Sequence, residues 1–336
     1  MNISNINLIP PEGLTIQQQT WMEYRFGIRF TFGINTFYNT ETSDGSLNPS
    51  IIELKELEID NWVETAINAG MKYCIFTAKN HDGFCNWNTE YSYYNIINTP
   101  FNQDLLELLA ASCEKYGLKL GLYYSLLDSY SSYFNDDERY AAMILDQLEE
   151  LLTKYGNIVE IWFDGYWGKQ INGWNLSPNE FVLAWRSEGA FRFKIDYIYH
   201  KIKEFQPDCI VLNHSTNEFI GVPLHPVDAR TGIDVSYVVV DRKYWNWLGS
   251  EKYIPWEITV NLSGKDYGRF ESGNWYWHEG DESGPEKNTV KKWLQFAKKH
   301  DTNLVLNCSI SPLGKMREVD QILLDRLWKE DTNIDN

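Results

Sequence analysis

Six stretches of the chain run almost continuously apolar: residues 26–32, 73–78, 118–125, 158–164, 209–213 and 303–310. Each is short, rich in β-branched and aromatic residues, and apolar on both faces, as strands buried on both sides of a parallel sheet are. The segments ahead of them, residues 59–70, 104–117, 137–156, 193–207 and 289–300, mix polar and apolar positions and end on basic residues or glycine, which are helix stop signals. Helix–strand alternation at this spacing predicts a parallel sheet covered by helices. One or two further strands are expected between Ile233 and Val260, one of them around residues 254–260. A last helix is expected over residues 316–329. Six to eight such units predict a (β/α)8-like TIM barrel, irregular in places, forming a single domain over residues 1–336 without a C-terminal β-sandwich. A doubly wound open sheet is the runner-up. It calls for a glycine-rich phosphate turn after the first strand, and Phe32-Gly33-Ile34-Asn35-Thr36 is not one.

In a barrel of this kind the chemistry sits where the strands end. The segments after the strands are polar or aromatic throughout. They hold Glu41 in residues 35–48, T-A-K-N-H-D-G-F-C-N-W in 77–87, Ser125 to Asp128, Asp164, and Asn213 with His214. The run I-V-E-I-W-F-D-G, residues 158–165, stops on Asp164 as the chain leaves the core. A second carboxylate, Glu257, lies in I-P-W-E-I-T-V beside Trp256. Burial against an apolar wall raises a carboxyl pKa and suits a proton donor. One ionised and one protonated carboxyl is the arrangement for cleaving glycosidic bonds. Glu271 and Glu279 are rivals for the donor role on the same aromatic stretch, residues 241–283, read as a strand plus a long loop over the mouth. His81 suits a base, a ligand or a hydrogen-bonded loop histidine.

Composition narrows the chemistry. Aromatic residues make up 15% of the chain, with 14 Trp, and flat rings of this kind line sugar grooves. A formal charge of −17 disfavours a nucleic-acid partner. Five cysteines without C-x-x-C spacing read as reduced core residues. Only six histidines and no metal-ligand spacing predict no metal and no other cofactor. No G-x-S-x-G serine motif is present. With no apolar run of membrane length and no signal peptide, a cytoplasmic protein is expected, or a secreted one if a leader has been removed.

With these residues in view, the chain resembles the α-L-fucosidases of glycoside hydrolase family 29, nearly end to end. The family's F-G-x-F-x-H-x-G resembles residues 26–33. Its A-G-x-K-Y-x-x-x-T-A-K-H-H-D-G-F-x-x-W resembles Ala69 to Trp87, and K-Y-G-L-K-x-G-L-Y-x-S resembles Lys115 to Ser125. E-I-W-F-D-G resembles Glu160 to Gly165, and L-L-L-N-V-x-P-x-x-x-G resembles Leu304 to Gly314. The resemblance implies a barrel and a retaining mechanism through a covalent glycosyl-enzyme, with the two carboxyl groups about 5–5.5 Å apart. Asp164 falls on the nucleophile and Glu257 on the general acid/base. Glu41, His81, Trp87, Tyr123 and Trp162 fall on sugar-contacting positions. Thr31 and Asn80 stand where the family has histidines that contact sugar hydroxyls. The implied substrate is a terminal α-L-fucoside of a glycan or glycoside, with a related sugar, or a barrel that binds sugar without cleaving it, as alternatives.

Overall fold

The computed structural model describes residues 13–165, 193–213, 226–233, 244–247, 250–264 and 273–329. Among these, ten strands follow in chain order: β1 (Phe26–Thr31), β2 (Tyr73–Lys79), β3 (Lys119–Ser125), β4 (Ile158–Asp164), β5 (Ile210–Asn213), β6 (Ala229–Ile233), β7 (Tyr244–Trp247), β8 (Ser250–Tyr253), β9 (Trp256–Asn261) and β10 (Asn303–Ser309). Eight of them close a parallel barrel, β1-β2-β3-β4-β5-β6-β9-β10, with β10 pairing back onto β1. The expected barrel is therefore the architecture, and closure excludes the open doubly wound sheet. The pair β7–β8 is a separate antiparallel hairpin. The sequence pattern misses it, and misses β6 as well, because Arg230, Thr231 and Gly232 interrupt the apolar run.

Helices α1 (Ile16–Met22), α2 (Ile34–Phe37), α3 (Ile59–Asn68), α4 (Leu105–Tyr116), α5 (Asp137–Lys154), α6 (Ile195–Phe205), α7 (Lys287–Lys299) and α8 (Glu318–Arg326) complete the described elements. Local chemistry sets their ends. Asp104 and Asp136 cap α4 and α5 by accepting the backbone N–H of Glu107 and Arg139. Gly117 ends α4 in the left-handed conformation, φ 79°.

The fold has two apolar cores. One lies between strands and helices, where α4 buries Leu105, Leu106 and Leu109. The other fills the barrel, with Tyr73, Ile75, Tyr123, Trp162, Leu212 and Val305. Side chains alternate along each strand, so positions 160, 162 and 164 of β4 share the inward face. At the floor of the barrel two glycines make room for large neighbours. A Cβ on Gly27 would stand 2.6 Å from the Tyr73 ring, and one on Gly121 2.5 Å from Cγ of Glu160. Helix α1 closes this floor. The indole N–H of Trp21 donates to Glu160, and the Trp21 carbonyl accepts from Asn303 Nδ2 at 3.0 Å. The other end, where the strands finish, is the mouth.

Candidate active site

Asp164 is the last residue of β4 and stands at the mouth, its side chain 18% exposed. Gly165 follows at φ 79°, and a Cβ there would lie 2.6 Å from Leu127 N, so glycine lets the chain turn out directly after the carboxylate. Asp164 Oδ2 accepts the Tyr123 hydroxyl at 2.9 Å, and Oδ1 accepts the Gly165 N–H at 2.7 Å. The carboxylate is thus held from two sides in one orientation.

His81 lies beside it, with Nε2 3.8 Å from Asp164 Oδ2 and 3.4 Å from the Tyr123 hydroxyl. Its Nδ1 is 2.6 Å from Ser125 Oγ. The Ser125 hydroxyl has one hydrogen and spends it on the Leu127 carbonyl at 2.8 Å. The proton between His81 and Ser125 therefore belongs to Nδ1, and the neutral ring turns the lone pair of Nε2 towards Tyr123 and Asp164. Burial holds the His81 pKa below its ordinary value. The Asp164 charge opposes that shift and the Arg29 charge adds to it.

The wall beneath Asp164 is aromatic. Trp162 is fully buried, meets Tyr123 edge-on at 5.3 Å between ring centroids, and leaves its indole N–H without a protein partner. Thr77 Oγ1 and Ser309 Oγ are likewise buried and unpartnered. Buried polar atoms are otherwise nearly always satisfied. Three such atoms near the mouth of one barrel suit a ligand that brings its own hydroxyls.

Glu41 stays out of this wall. Its carboxylate accepts the N–H groups of Trp275 at 2.9 Å and Tyr276 at 3.2 Å, and His278 Nε2 lies 2.6 Å from it. It fastens the loop of residues 273–286, which brings Trp275 within 6.4 Å of the Trp162 ring. Glu279 is exposed on the same loop. Trp87 has no exposed surface, sits in the outer core, and donates its indole N–H to Glu150 on α5 at 3.0 Å. It offers no face to a sugar, which corrects the role expected of it.

Glu257 requires a larger correction. It is the second residue of β9, in register with Asn303, the first residue of β10, and so lies at the floor. It is fully buried, and its Oε2 accepts the Tyr73 hydroxyl at 2.6 Å. It is electrostatically coupled to Glu160, and the Oε1 of each is buried without a hydrogen-bond partner. Glu160 precedes Asp164 by four residues of the same strand, about 13 Å at the strand rise. The expected short separation between Asp164 and Glu257 is absent. The buried-carboxyl argument itself holds, because burial pushes Glu257 up to about 7 and raises Glu160 further, with the Glu257 charge as the second cause. The proton-holding pair is built, but at the wrong end of the barrel for leaving-group chemistry.

A family model described as "Alpha-L-fucosidase" matches residues 17–329, nearly the whole chain. The chain belongs to the alpha-L-fucosidase family. Alpha-L-fucosidase 1 of Arabidopsis thaliana is 38% identical over 152 residues, 44% of this chain and 30% of that protein. The plasma alpha-L-fucosidase of Homo sapiens is 32% identical over 141 residues, 39% of this chain and 29% of that protein. The matched part thus spans about a third of the curated relatives' length. Among solved structures, a glycoside hydrolase 29 family member from an unknown rumen bacterium superposes with a TM-score of 0.75 at 22% identity. It covers 94% of this chain and 56% of that one. An alpha-L-fucosidase from Lactobacillus casei, solved with its alpha-L-fucose product, gives 0.65 at 20% identity, covering 93% of this chain and 97% of that one. These two likenesses are likenesses of fold.

Against the family pattern, the two histidine replacements are both buried, and the Thr31 hydroxyl bonds Asn307 Oδ1 at 2.5 Å. Glu271 and His214 lie outside the described residues. Arg29 is the site residue that pattern reading passes over. It is buried at the centre of the barrel, its guanidinium carbon 3.9 Å from the Tyr123 ring centroid, 4.7 Å from Trp162 and 4.8 Å from Trp275. The available signal was the one charged residue in F-G-I-R-F-T-F, standing where the family motif has an aromatic. Among the described residues, no group of three or more His, Cys, Asp or Glu is placed to hold a metal ion.

Proposed function

We propose that the protein is a retaining exo-glycosidase that hydrolyses terminal α-L-fucosides. The observation that carries this reading is Asp164, held in a fixed orientation at the barrel mouth by Tyr123 and Gly165 over an aromatic wall with unspent donors. Asp164 attacks the anomeric carbon while the glycosidic bond breaks and the aglycone oxygen takes a proton. Water then displaces the sugar from the carboxylate. Trp162, Ser309 and Thr77 supply hydroxyl partners inside the pocket, and His81 Nε2 accepts from a sugar hydroxyl. The proton donor is a carboxylate other than Glu257, with Glu271 and Glu279 as the candidates.

The test is turnover of 4-nitrophenyl α-L-fucopyranoside, with Asp164→Ala as its partner. Wild-type release of nitrophenol, abolished in the variant, supports the reading. A mass increase of one deoxyhexosyl group on the peptide carrying Asp164, after acid quench, identifies the covalent step. Turnover that survives Asp164→Ala would overturn the nucleophile.

One observation favours a second reading. Thr31 spends its hydroxyl on Asn307, and Asn80 is buried where the family has a histidine. A site that has lost two partners for specific hydroxyls discriminates differently. The preferred sugar is then a relative of fucose, and a panel of aryl glycosides that favours another sugar over fucose by tenfold or more would establish it.

A further inference from the structure

Arg29 is a buried cation without a carboxylate of its own. It stands in mid-β1, two residues below Thr31, with only 4% of its surface exposed. The rings of Tyr123, Trp162 and Trp275 enclose it, their centroids 3.9, 4.7 and 4.8 Å from the guanidinium carbon. Stacking of this kind occupies the faces of the group and leaves its N–H bonds, which lie in the plane, unused. Among the described residues Arg29 forms no ion pair and donates no hydrogen bond of ordinary geometry. Of its three nitrogens only Nε is sealed from solvent. A charge in such surroundings is costly unless an opposite charge offsets it. The described fold supplies none, and a bound anion would.

The groups around it suit the same ligand. The Trp162 indole N–H is buried without a partner, and so is the Tyr276 hydroxyl, which stands 3.3 Å from where a Cβ on Gly33 would lie. Guanidinium and indole donate and cannot accept. A sugar hydroxyl does both. A carboxylate or a sulfate only accepts, and two of its oxygens match the planar fork of a guanidinium. The place fits a sugar as well. Asp164 ends β4 at the mouth, and Trp162, which packs on Arg29, lies two residues further in. A pyranose with its anomeric carbon at Asp164 and its ring along the aromatic wall turns its remote edge, C4 and C6, into the barrel.

We propose that Arg29 forms an anion subsite in this pocket, and that the substrates are glycosides whose terminal sugar carries a carboxylate or sulfate on the edge remote from the scissile bond. The proposal rests on the reading of the mouth as a glycosidase site. It gives the departures from the family pattern one cause. Arg29 stands where the motif has an aromatic, and Thr31 and Asn80 stand where it has histidines. The pocket has exchanged partners for neutral hydroxyls for one cationic fork.

The experiment measures kcat/KM of wild type and Arg29→Met on 4-nitrophenyl α-L-fucopyranoside, its 4-O-sulfate, and 4-nitrophenyl α-L-galactopyranosiduronate, which has a carboxylate in place of the fucose methyl. Wild type is expected to prefer one anionic substrate to the plain fucoside by tenfold or more, and the preferred one tells carboxylate from sulfate. That preference should fall at least tenfold in Arg29→Met, as the loss of hydrogen bonds to a charged group predicts. It is a ratio within one variant, so a general loss of activity does not move it. A smaller preference in wild type, or one that survives in Arg29→Met, overturns the subsite and leaves the glycosidase standing. If no substrate releases nitrophenol, the glycosidase reading falls and binding decides the subsite, by titrating tryptophan fluorescence with L-galacturonate, L-fucose 4-sulfate and L-fucose. Tighter binding of either anion, lost in Arg29→Met, upholds the subsite; equal or absent binding overturns it. If Arg29→Met fails to fold, Arg29→Gln gives the same contrast.

Discussion

Tyr73 donates its hydroxyl hydrogen to Glu257 at 2.6 Å, in the barrel floor and roughly four strand residues below the plane of Asp164. Two carboxyl centres of opposite character therefore share one barrel. Asp164 at the mouth is held by two donors, the Tyr123 hydroxyl and the Gly165 N–H. Glu257 and Glu160 at the floor have one good donor each, Tyr73 and Trp21, and one buried oxygen each without a hydrogen-bond partner. Two buried carboxyls coupled in this way resist ionising together, and they titrate as a pair.

That pair makes stability depend on pH. Glu257 is raised to about 7 by burial in the folded chain and returns to about 4.3 when unfolded. The folded state then binds more protons than the unfolded state across that interval, so stability is full below about pH 4.3 and falls as pH rises through 7. Asp82, also raised to about 7 by burial, adds slope of the same sign. Urea unfolding at pH 5.5 and 8.5 should show a loss on the order of a few kcal/mol towards alkaline pH. Glu160→Gln should be close to neutral at 5.5 and should remove part of that loss at 8.5, since an amide donates to Glu257 without a proton to lose. A Glu160→Gln slope equal to wild type would contradict the paired titration.

Tyr123→Phe removes the only side-chain donor that the described residues give to Asp164 and keeps the ring that packs on Trp162 and Arg29. The loss of one hydrogen bond to a charged group, about 1.5–3 kcal/mol, corresponds to roughly a ten- to hundredfold fall in kcat. Substrate affinity should change far less, because the lost bond is to the proposed nucleophile. Steady-state kinetics on the aryl fucoside checks this. A tenfold rise in KM with kcat intact would place Tyr123 on the sugar instead.

Much of this was legible in the sequence because buried parallel strands leave a simple trace. The strand ending at Asp164 and the helix–strand alternation follow from apolar runs and stop signals alone. The long apolar strand around Glu257 was legible too, but not its end. Position along a strand decides whether a side chain faces mouth or floor, and the fixed point is the first residue of β9, which the run I-P-W-E-I-T-V does not mark. Trp87 misleads for a related reason. An indole beside a loop motif reads as a ring for sugar, and only Glu150, 63 residues away, shows that its N–H is already taken. Arg29 is hidden because a single charge inside an apolar run looks like an exception, until three rings from separate elements close on it.

Glu41→Gln tests the loop that carries Trp275. The carboxylate accepts two backbone N–H groups and sits against His278, so it acts as an anchor for the loop. An amide keeps one acceptor oxygen and turns an NH2 group towards the remaining donors. The loop should loosen and Trp275 should leave its place over Arg29. KM is expected to rise several-fold with kcat reduced less, and tryptophan emission should shift to the red without substrate. Unchanged KM and emission would show that the loop holds its position without Glu41.

The acid/base assignment is testable through the leaving group. A nitrophenolate departs without protonation, whereas a sugar hydroxyl needs a proton from the donor. A variant lacking the donor therefore keeps much of its first step on 4-nitrophenyl α-L-fucopyranoside and loses nearly all turnover of a fucosyl disaccharide. Glu271→Gln and Glu279→Gln are to be compared on both substrates, with Glu257→Gln as control. Loss of 100-fold or more on the disaccharide, against tenfold or less on the aryl glycoside, identifies the donor. Added azide should accelerate the same variant on the aryl substrate, since that nucleophile needs no general base to attack the glycosyl-enzyme. Glu257→Gln should lose activity equally on both, because its carboxyl lies at the floor with Tyr73 and Glu160. A leaving-group split in Glu257→Gln would return the donor role to it and contradict the floor placement.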